Sequence, residues 1–457
     1  MTSAPSDPTI STPQPLLFGH PKGLAVLFAT EMWERFSYYG MRSLLILYMT
    51  QYLLLEGRVE HVVGYATLKS ILESIFGPLG VQPMSSQVYG LYSSLVYLTP
   101  ILGGILADRW LGQRRSVMIG AALMAAGHFM MAFETLLLPA LLVLILGNGA
   151  FKPNISTQVG GLYPAGDPRR DRAYSIFYVG INLGAFLAPL VCGTLGEIYG
   201  WHYGFTAAGV GMLLALVIYI VGGPALPPDQ HQRVVSDPQP LAREDWRAII
   251  ALGLLFLPVT LFWATYEQQG NTVALFANAN TDRSINLLFW RGEIPTTWFQ
   301  AFNPFMIFAF TPLIVTLWAW QAKRKREPST VTKMALGCFG IALAYLVLVV
   351  AAWSAGGAKA SWWWLLLFFA IITVGELFVS PVGLSLVTKI APLRLVSMLM
   401  GFWLSANFAG AFIGGWLGSY WSAMDKPHFF LMVSGIAAAA SAIIWLLNTP
   451  LRPLLKD

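Results

Sequence analysis

Long apolar segments, repeated along the whole chain, constrain this protein more than any other feature of its sequence. A helix needs roughly 20 apolar residues to cross the hydrocarbon of a bilayer. We count twelve segments that meet this need: 23–55, 86–107, 116–134, 137–158, 173–196, 203–223, 247–277, 299–321, 332–354, 361–389, 394–420 and 428–448. Hydrophobic residues make up 56% of the 457 residues and charged residues only 11%. The sequence therefore predicts an all-α membrane protein rather than a soluble enzyme.

A Pro-rich and charged stretch, 224–246, divides the segments into six and six. The predicted domains are a cytoplasmic tail at 1–22, a first bundle at 23–223, this cytoplasmic linker, and a second bundle with a short tail at 247–457. Two equal halves joined by one polar connection resemble the parallel repeats of the major facilitator architecture, which binds its ligand between the halves. Other channels and transporters also reach twelve segments.

A longer connection, 56–85, separates the first two segments and contains an amphipathic piece at 62–75. The sequence gives no role for this connection.

The distribution of Lys and Arg predicts the orientation in the membrane. With both termini inside, nineteen of the 28 basic residues lie in inner loops and tails, six lie in outer loops, and three lie within segments. Cytoplasmic loops carry such an excess of basic residues. We therefore expect both termini in the cytoplasm and assign the net charge of +6 to loops that hold this topology, not to nucleic-acid binding.

Seven charged residues lie inside the apolar segments, where each costs at least about 2.5–3.5 kcal/mol and marks a candidate functional site. They are Glu31, Glu34, Arg35, Arg42, Lys152, Glu267 and Glu376. At about 100° per residue, the first four share one helical face with Tyr38. Such a face suits a polar interior that binds a ligand or moves protons. The alternative is an ion-pair network that only locks helices together.

Depth in the membrane suggests how these charges pair. At about 1.5 Å per residue, Arg42 and Glu267 lie toward the outside, whereas the Glu31/Glu34/Arg35 cluster and Lys152 lie toward the inside. We expect Arg42 to pair with Glu267, and the Glu31/Glu34/Arg35 cluster to pair with Lys152. The Arg42–Glu267 pair would join the two halves, as a gate does.

Lys152 and Glu376 lie about fifteen residues into equivalent segments of the two halves, on opposite walls of a central cavity. This placement fits a ligand with a carboxylate at one end and an ammonium at the other. An extended residue covers roughly 3.3–3.6 Å, so two or three residues suit the cavity. The alternative is that both charges only hold helices together.

Other chemistry has little support in the sequence. Cys192 and Cys338 lie in apolar segments as packing residues, and no disulfide or metal site is expected. We find no metal cluster, Gly-rich phosphate loop or nucleophile–base pair, so an enzyme is not expected. His128 is expected to form a local hydrogen bond. No cofactor is predicted; protons are the expected coupling ion.

Five motifs carry a resemblance to a known family. They are Glu31–Gly40 (E-x-x-E-R-F-x-Y-Y-G), Phe177–Gly184 (F-Y-x-x-I-N-x-G), Phe151–Asn154, Glu267–Gln269 and Gly375–Pro381. Together they resemble the proton-dependent oligopeptide transporter family, peptide symporters of the major facilitator superfamily, over nearly the whole chain. Gly103–Arg109 resembles the general facilitator loop, which many facilitators share.

The resemblance implies uptake of dipeptides and tripeptides, driven by protons, across a bacterial inner membrane. It implies that Arg42 and Lys152 hold the peptide carboxylate, Glu376 the amino end, and Asn182 and Asn303 the backbone or termini. It also implies that Tyr38, Tyr39 and Tyr97 line the cavity, and that Ser380 and Trp403 form a side-chain pocket. For Tyr97 and Trp403 the alternative is ordinary packing.

For proton coupling, the resemblance implies a set formed by Glu31, Glu34, Arg35 and Lys152, with Glu267 pairing with Arg42 in the gate.

Two features depart from relatives in this family. The linker is too short and polar for the two extra helices of many bacterial members. Gly90 stands where animal members have a histidine, which excludes a proton route through that histidine. A carrier of another small anion or drug-like solute on the same scaffold is the second hypothesis, since the family resemblance extends to plant nitrate carriers.

Overall fold

A computed structural model describes residues 16–164, 166–229, 242–287, 290–392 and 395–455. This part of the chain contains fourteen α-helices. They are α1 Lys22–Tyr48, α2 Tyr65–Phe76, α3 Val81–Leu106, α4 Gln113–Met130, α5 Leu137–Gly161, α6 Arg169–Ala188, α7 Trp201–Val221, α8 Arg243–Tyr266, α9 Thr272–Ala279, α10 Phe302–Lys323, α11 Thr330–Ser354, α12 Trp363–Ile390, α13 Val396–Gly418 and α14 Lys426–Leu455. Most of the expected tail (1–15) and of the linker (230–241) lies outside the described residues.

Strands are few and short among the described residues. β1 (Leu16–Leu17) pairs with β2 (His20–Pro21), and β3 (Thr281–Asp282) pairs in parallel with β6 (Ala360–Ser361). β4 (Ser284–Leu287) and β5 (Trp290–Glu293) form an antiparallel hairpin. Because successive long helices run in opposite directions, β1 and the end of α14 lie at one end of the bundle, here called the terminal face. The β4–β5 hairpin lies at the opposite end, the hairpin face.

Helix packing divides into two groups. In the first half α1 packs on α6 and α7, and α4 packs on α5 and α7; in the second half α11 packs on α12 and α14, and α8 packs on α13 and α14. The main helix pairs that join the groups are α3 with α13 and α6 with α10, and α1 also contacts α9. At the first of these joints Gly90 meets Gly415, and a Cβ on Gly90 would lie 2.5 Å from the Cα of Gly415. The halves therefore touch backbone to backbone there.

The apolar segments predicted from the sequence correspond to long helices. In the described residues, ten helices are long and apolar enough to cross a membrane. Two further long helices, α1 and α4, are less apolar: α1 carries five charged residues, and α4 begins with Gln113-Arg114-Arg115. The all-α prediction is confirmed, and the boundaries mostly shift by a few residues.

The segment predicted at 247–277 is not one helix. α8 ends at Tyr266, a 3-10 turn covers Glu267–Gly270, and α9 follows. Buried amides explain the break, because the Gln268 side chain donates to the carbonyl oxygen of Gly414 on α13 at 2.7 Å. Gly270 leaves room for Tyr89, whose Oη would lie 2.0 Å from a Cβ at that position.

Other boundaries also need correction. The amphipathic piece predicted at 62–75 forms the helix α2, whereas α3 begins at Val81, five residues before the expected start. α4 ends at Met130 rather than 134. The fifth segment, expected at 173–196, is helical from Arg169 to Ala188 and continues as two π-helical turns, Pro189–Gly193 and Leu195–Tyr199. π-Helical turns are rare in proteins and are frequent at functional sites.

Adjacent glycines on α3 test the helix packing of the first half. A Cβ on Gly103 would lie 1.9 Å from the backbone oxygen of Gly149 on α5, whereas a Cβ on Gly104 meets nothing closer than 3.8 Å. We expect Gly103→Ala to cost about 1–3 kcal/mol through overpacking, and Gly104→Ala to be neutral or slightly stabilising because alanine favours helices. Thermal unfolding of the purified protein checks this. Equal melting temperatures for the two variants would contradict the packing.

Candidate functional site

A cavity of about 400 Å³ lies between the two halves. Side chains from α1, α3, α5 and α6 line one wall, and side chains from α8, α10, α12 and α13 line the other. Most residues predicted from the sequence as site residues contribute to these walls. They are Glu31, Arg35, Tyr39, Arg42, Tyr97, Lys152, Asn182, Glu267, Asn303, Glu376 and Ser380. Single residues on eight helices, far apart in sequence, thus converge on one chamber.

The acid–base cluster of α1 is buried and internally paired. The Nε atom of Arg35 lies 3.3 Å from Glu31 Oε1 and 2.5 Å from Glu34 Oε2, and a terminal nitrogen of Arg35 donates to Glu34 Oε1 at 2.7 Å. Helical spacing of three and four residues brings these groups together on one face. Glu34 is satisfied by this bidentate bond, whereas Oε2 of Glu31 is buried without a hydrogen-bond partner. Glu31 is therefore the acid of the cluster with a free acceptor.

Lys152 shares the cavity with this cluster but does not touch it. Among the described residues no carboxylate lies within 4.0 Å of its Nζ atom, which lies 5.4 Å from the ring centroid of Tyr97. The direct ion pair predicted between Lys152 and the cluster is not formed. The side chain ends in the open chamber, so its ammonium remains available to a ligand.

The predicted pair between Arg42 and Glu267 is formed and joins the two halves. A terminal nitrogen of Arg42 donates to Glu267 Oε2, and Nε of Arg42 donates to Tyr89 Oη at 2.8 Å. Tyr97 Oη donates to the second oxygen of Glu267 at 3.4 Å. Both charges are thus compensated, since each buried ion here has an opposite charge and a hydroxyl partner.

Glu376 is an anion with neutral partners. Asn303 Nδ2 donates to Glu376 Oε2 at 2.8 Å and lies 3.0 Å from Thr373 Oγ1. Tyr266 Oη in turn lies 3.5 Å from Asn303 Oδ1. In the described part of the chain no Lys or Arg nitrogen comes within 4.0 Å of this carboxylate. A half-buried carboxylate held only by amides and hydroxyls can attract a cationic group from a ligand.

Three residues expected at the site lie behind its walls. Tyr38 is 3% exposed and packs under the guanidinium groups of Arg35 and Arg42, with its ring centroid 5.1 and 6.0 Å from their Cζ atoms. Trp403 is 4% exposed and packs against Gly383. Glu34 is also fully buried. The resemblance implies that Tyr38 lines the cavity and that Trp403 forms a side-chain pocket with Ser380; neither is among the lining residues, and their roles in binding stay predictions.

Several lining residues were missed from the sequence: Ser156, Tyr178, Trp263, Tyr266, Gln269, Gln300 and Asn407. Three lie in or beside a motif: Tyr178 lies inside the Phe177–Gly184 motif, Gln269 ends the Glu267–Gln269 motif, and Tyr266 directly precedes Glu267. Ser156, Gln300 and Asn407 could have been found as polar residues inside apolar segments, whereas Trp263 carried no such signal.

Hydrogen bonds between the halves cluster at the hairpin face. Glu197, from the second π-helical turn, accepts hydrogen bonds from the backbone nitrogens of Thr296 and Thr297 at 2.8 and 2.7 Å, and from Thr297 Oγ1 at 2.7 Å. Further bonds across the halves are Gln82–Gly418, Ser86–Asn271, Trp298–Thr194 and Gln300–Ser43. Between described residues no bond of this kind lies on the terminal side of the cavity. The chamber is therefore closed toward the hairpin face.

Two other expectations concern residues away from the cavity. His128 is fully buried, and neither ring nitrogen has a hydrogen-bond partner among the described residues, so the expected local bond is not formed. Cys192 and Cys338 are free and buried in packed surroundings. In the described ranges no group of three His, Cys, Asp or Glu residues could hold a metal ion.

A comparison with protein families decides the relationship. The sequence profile described as the POT family matches residues 114–233 and 239–432. This chain belongs to the POT family. With ten apolar helices among its described residues, it is a multi-pass membrane protein of a transporter family.

Relatives and solved structures agree over the whole length. The chain is 33% identical to the peptide transporter YePEPT of Yersinia enterocolitica, with 96% of each chain covered. It is 31% identical to a di-/tripeptide transporter of Lactococcus lactis subsp. cremoris, covering 96% of this chain and 97% of the relative. A crystal structure of the peptide transporter POT in complex with sulfate aligns with a TM-score of 0.83, 32% identity and 98% of each chain covered. A POT family transporter in complex with a thioalcohol conjugated peptide aligns with a TM-score of 0.81, 27% identity, and 95% and 98% coverage.

The Arg42–Glu267 bond gives a stability test. Glu267→Gln removes the anion from a buried guanidinium, and we expect the free energy of unfolding to fall by about 1.5–3 kcal/mol, the usual range for a hydrogen bond to a charged group. Arg42→Gln/Glu267→Gln removes both charges and should recover part of this loss.

A matched control is Glu327→Gln. It breaks the pair with Lys333 at the terminal face, where the Glu327 side chain is 39% exposed, so we expect a change of about 0–1 kcal/mol. Thermal unfolding of all variants measures the difference. A Glu267→Gln variant no less stable than Glu327→Gln would show that the bond across the halves contributes little.

Proposed function

We propose that this protein is a proton-coupled symporter that imports dipeptides and tripeptides by alternating access. One observation carries the proposal, namely the charges on the two cavity walls. On the wall of the first half, the ammonium of Lys152 has no carboxylate within 4.0 Å among the described residues, and on the opposite wall Glu376 has only neutral partners. Such polarity fits a zwitterion, whose two charged ends would each replace a missing counter-ion. The relatives named as peptide transporters support the same assignment.

The peptide carboxylate would bind Lys152, whose ammonium has no carboxylate within 4.0 Å in the described chain, together with Arg42. The amino end would bind Glu376, which Asn303 and Tyr266 hold in place. Asn182, Asn303 and Ser380 would bind backbone or side-chain groups, and the rings of Tyr39, Tyr97 and Tyr178 would cover apolar side chains. Tyr38 and Trp403 would act only through the groups in front of them.

Proton coupling would use Glu31, Glu34, Arg35, Lys152 and Glu267. Glu31 contacts Arg35 through one oxygen, but its other oxygen is buried without a partner, and a buried polar atom without a hydrogen bond is costly, so protonation of this oxygen would lower the cost. When a peptide carboxylate binds Lys152, the nearby acids lose some of the positive field that stabilises their charged form. Uptake of a proton by Glu31 or Glu267 would then accompany peptide binding. Protons would be the only coupling ion, with no cofactor.

Alternating access would use the major facilitator fold, with twelve membrane-spanning helices in two bundles, 23–223 and 247–457, and a cytoplasmic linker at 224–246. The excess of Lys and Arg in loops at the terminal face supports a placement in the bacterial inner membrane with both termini in the cytoplasm. The chamber, closed at the hairpin face, would then open toward the cytoplasm.

Purified protein in liposomes tests the proposal directly. Addition of dialanine outside should acidify the interior, and counterflow of labelled dialanine should be blocked by unlabelled peptides but not by nitrate. Acidification without a peptide requirement, or counterflow blocked by small anions alone, would favour the second candidate, a carrier of another small anion or drug-like solute. The cations Arg42 and Lys152 favour that candidate, because they would bind any anion.

Glu376 tests the amino-end assignment. Glu376→Gln keeps the bond from Asn303 but removes the charge, so we expect weaker peptide binding by about 1.5–3 kcal/mol, on the order of 10- to 100-fold in Kd. An N-acetylated peptide, which has no ammonium, should lose much less affinity than dialanine. Equal affinity of the parent and the variant for dialanine, measured by calorimetry, would reject the assignment.

The acids of α1 test coupling. Glu31→Gln or Glu34→Gln should abolish uptake driven by a proton gradient while leaving counterflow of dialanine largely intact, because counterflow needs no net proton movement. Glu73→Gln, on the short helix α2 outside the cavity, is the matched control and should leave both activities unchanged. Uptake against a gradient in both α1 variants would show that coupling lies elsewhere.

A further inference from the structure

The short helix α2 has three different sides. Leu72 is buried, and Leu68 and Phe76 pack beside it against the core. Viewed along the axis at about 100° per residue, Ile71 and Ile75 point to one flank of Leu72, and Lys69 and Glu73 point to the other. Ile71 and Ile75 are 53% and 67% exposed. One flank is thus apolar and uncovered, whereas the other carries a weak ion pair, with 3.9 Å between Lys69 Nζ and Glu73 Oε1.

Contacts at the two ends of α2 place it against the side of the bundle. Just before the helix, the backbone nitrogen of Val63 donates to the carbonyl oxygen of Thr135 at 3.0 Å. At the far end, the ring of Phe76 packs on Phe412 of α13, with 6.3 Å between the centroids. The helix therefore lies across the outer end of α3, from the first half to the second.

Phe412 gives the depth of this contact. It lies six residues before Gly418, where α13 ends, which is about 9 Å along the helix. Trp416 and Tyr420 lie between Phe412 and the hairpin face. Their rings meet edge to face with 5.6 Å between the centroids, and both residues are about two-fifths exposed. Aromatic pairs of this kind mark the membrane–water interface. The end of α2 thus reaches one turn deeper than the aromatic belt.

The charged flank faces the water side. Oε1 of Glu73 accepts a hydrogen bond from the backbone nitrogen of Leu79 at 3.0 Å. Leu79 lies in the stretch that leads toward the hairpin face and to the start of α3. There the side chain of Gln82 donates to the carbonyl oxygen of Gly418 at 2.9 Å. The flank with Glu73 therefore points toward the hairpin face, and the flank with Ile71 and Ile75 points away from it, toward the hydrocarbon.

We propose that α2 is an interfacial helix in the leaflet at the hairpin face, where Ile71 and Ile75 contact lipid acyl chains and Lys69 and Glu73 face the headgroups and water. Amphipathic helices lie in this way with their apolar side about 5–10 Å into the boundary of headgroups and acyl chains. α2 differs from a free amphipathic helix because its third side is fixed to the bundle. The exposed apolar flank continues the lipid-facing surface of α13.

Spin labels in liposomes test the placement. Single cysteines at Ile71, Ile75 and Lys69, each with Cys192 and Cys338 replaced by alanine, carry a nitroxide whose collisions with oxygen and with a water-soluble nickel chelate are compared. Oxygen concentrates in hydrocarbon, so we expect an oxygen-to-nickel ratio at least about fivefold higher at Ile71 and Ile75 than at Lys69. Peptide counterflow confirms that each labelled protein is folded, because none of these positions lies in the cavity.

Three outcomes would overturn the proposal. Equal ratios on both flanks would place α2 in water, and a higher ratio at Lys69 would reverse its orientation. Protection of Ile75 from both reagents, with spin–spin broadening between labels, would show that a second copy of this chain covers the flank instead of lipid.

Discussion

The exclusion of unpaired charge from hydrocarbon organises this structure. Each ion placed in an apolar segment must find a partner, face a water-filled chamber, or be neutralised. Arg42 and Glu267 meet this demand across the two halves, whereas Arg35 meets it within one helix. Lys152 and Glu376 meet it by facing the chamber. The cavity exists where it does because those charges have no other acceptable surroundings.

The groups that are not fully paired define what the chamber can bind. Glu31 keeps one free oxygen beside Arg35, Glu376 has only neutral partners, and no carboxylate among the described residues lies within 4.0 Å of the Lys152 ammonium. A structural network would pair such groups with each other, as Arg35 and Glu34 do. That these three remain open favours ligand and proton binding over the alternative of ions that only hold helices together.

Much of the fold and of the site was predictable from the sequence, and the same reasons explain why the rest was not. Apolar length gives the helices, and depth along two helices of known direction was enough to predict the Arg42–Glu267 bond. Depth says nothing about the rotation of a helix, and neither depth nor the family resemblance shows that Tyr38 and Trp403 pack behind the cavity walls. It also says nothing about lateral distance, which is why the expected contact of Lys152 with the α1 cluster is not formed. The break at Glu267–Gly270 depends on a bond from Gln268 to α13, a tertiary contact that no local pattern encodes.

Glu197 has a consequence for how the halves separate. Its carboxylate accepts three hydrogen bonds from two consecutive residues at the start of the opposing helix. Because the three donors are fixed to one rigid turn, they move together, and a small displacement strains all the bonds at once. A partly opened joint would lose the same hydrogen bonds as a fully opened one, but water could not yet replace them. We therefore expect closure at this joint to be all-or-none, with intermediate widths sparsely populated between two discrete shapes.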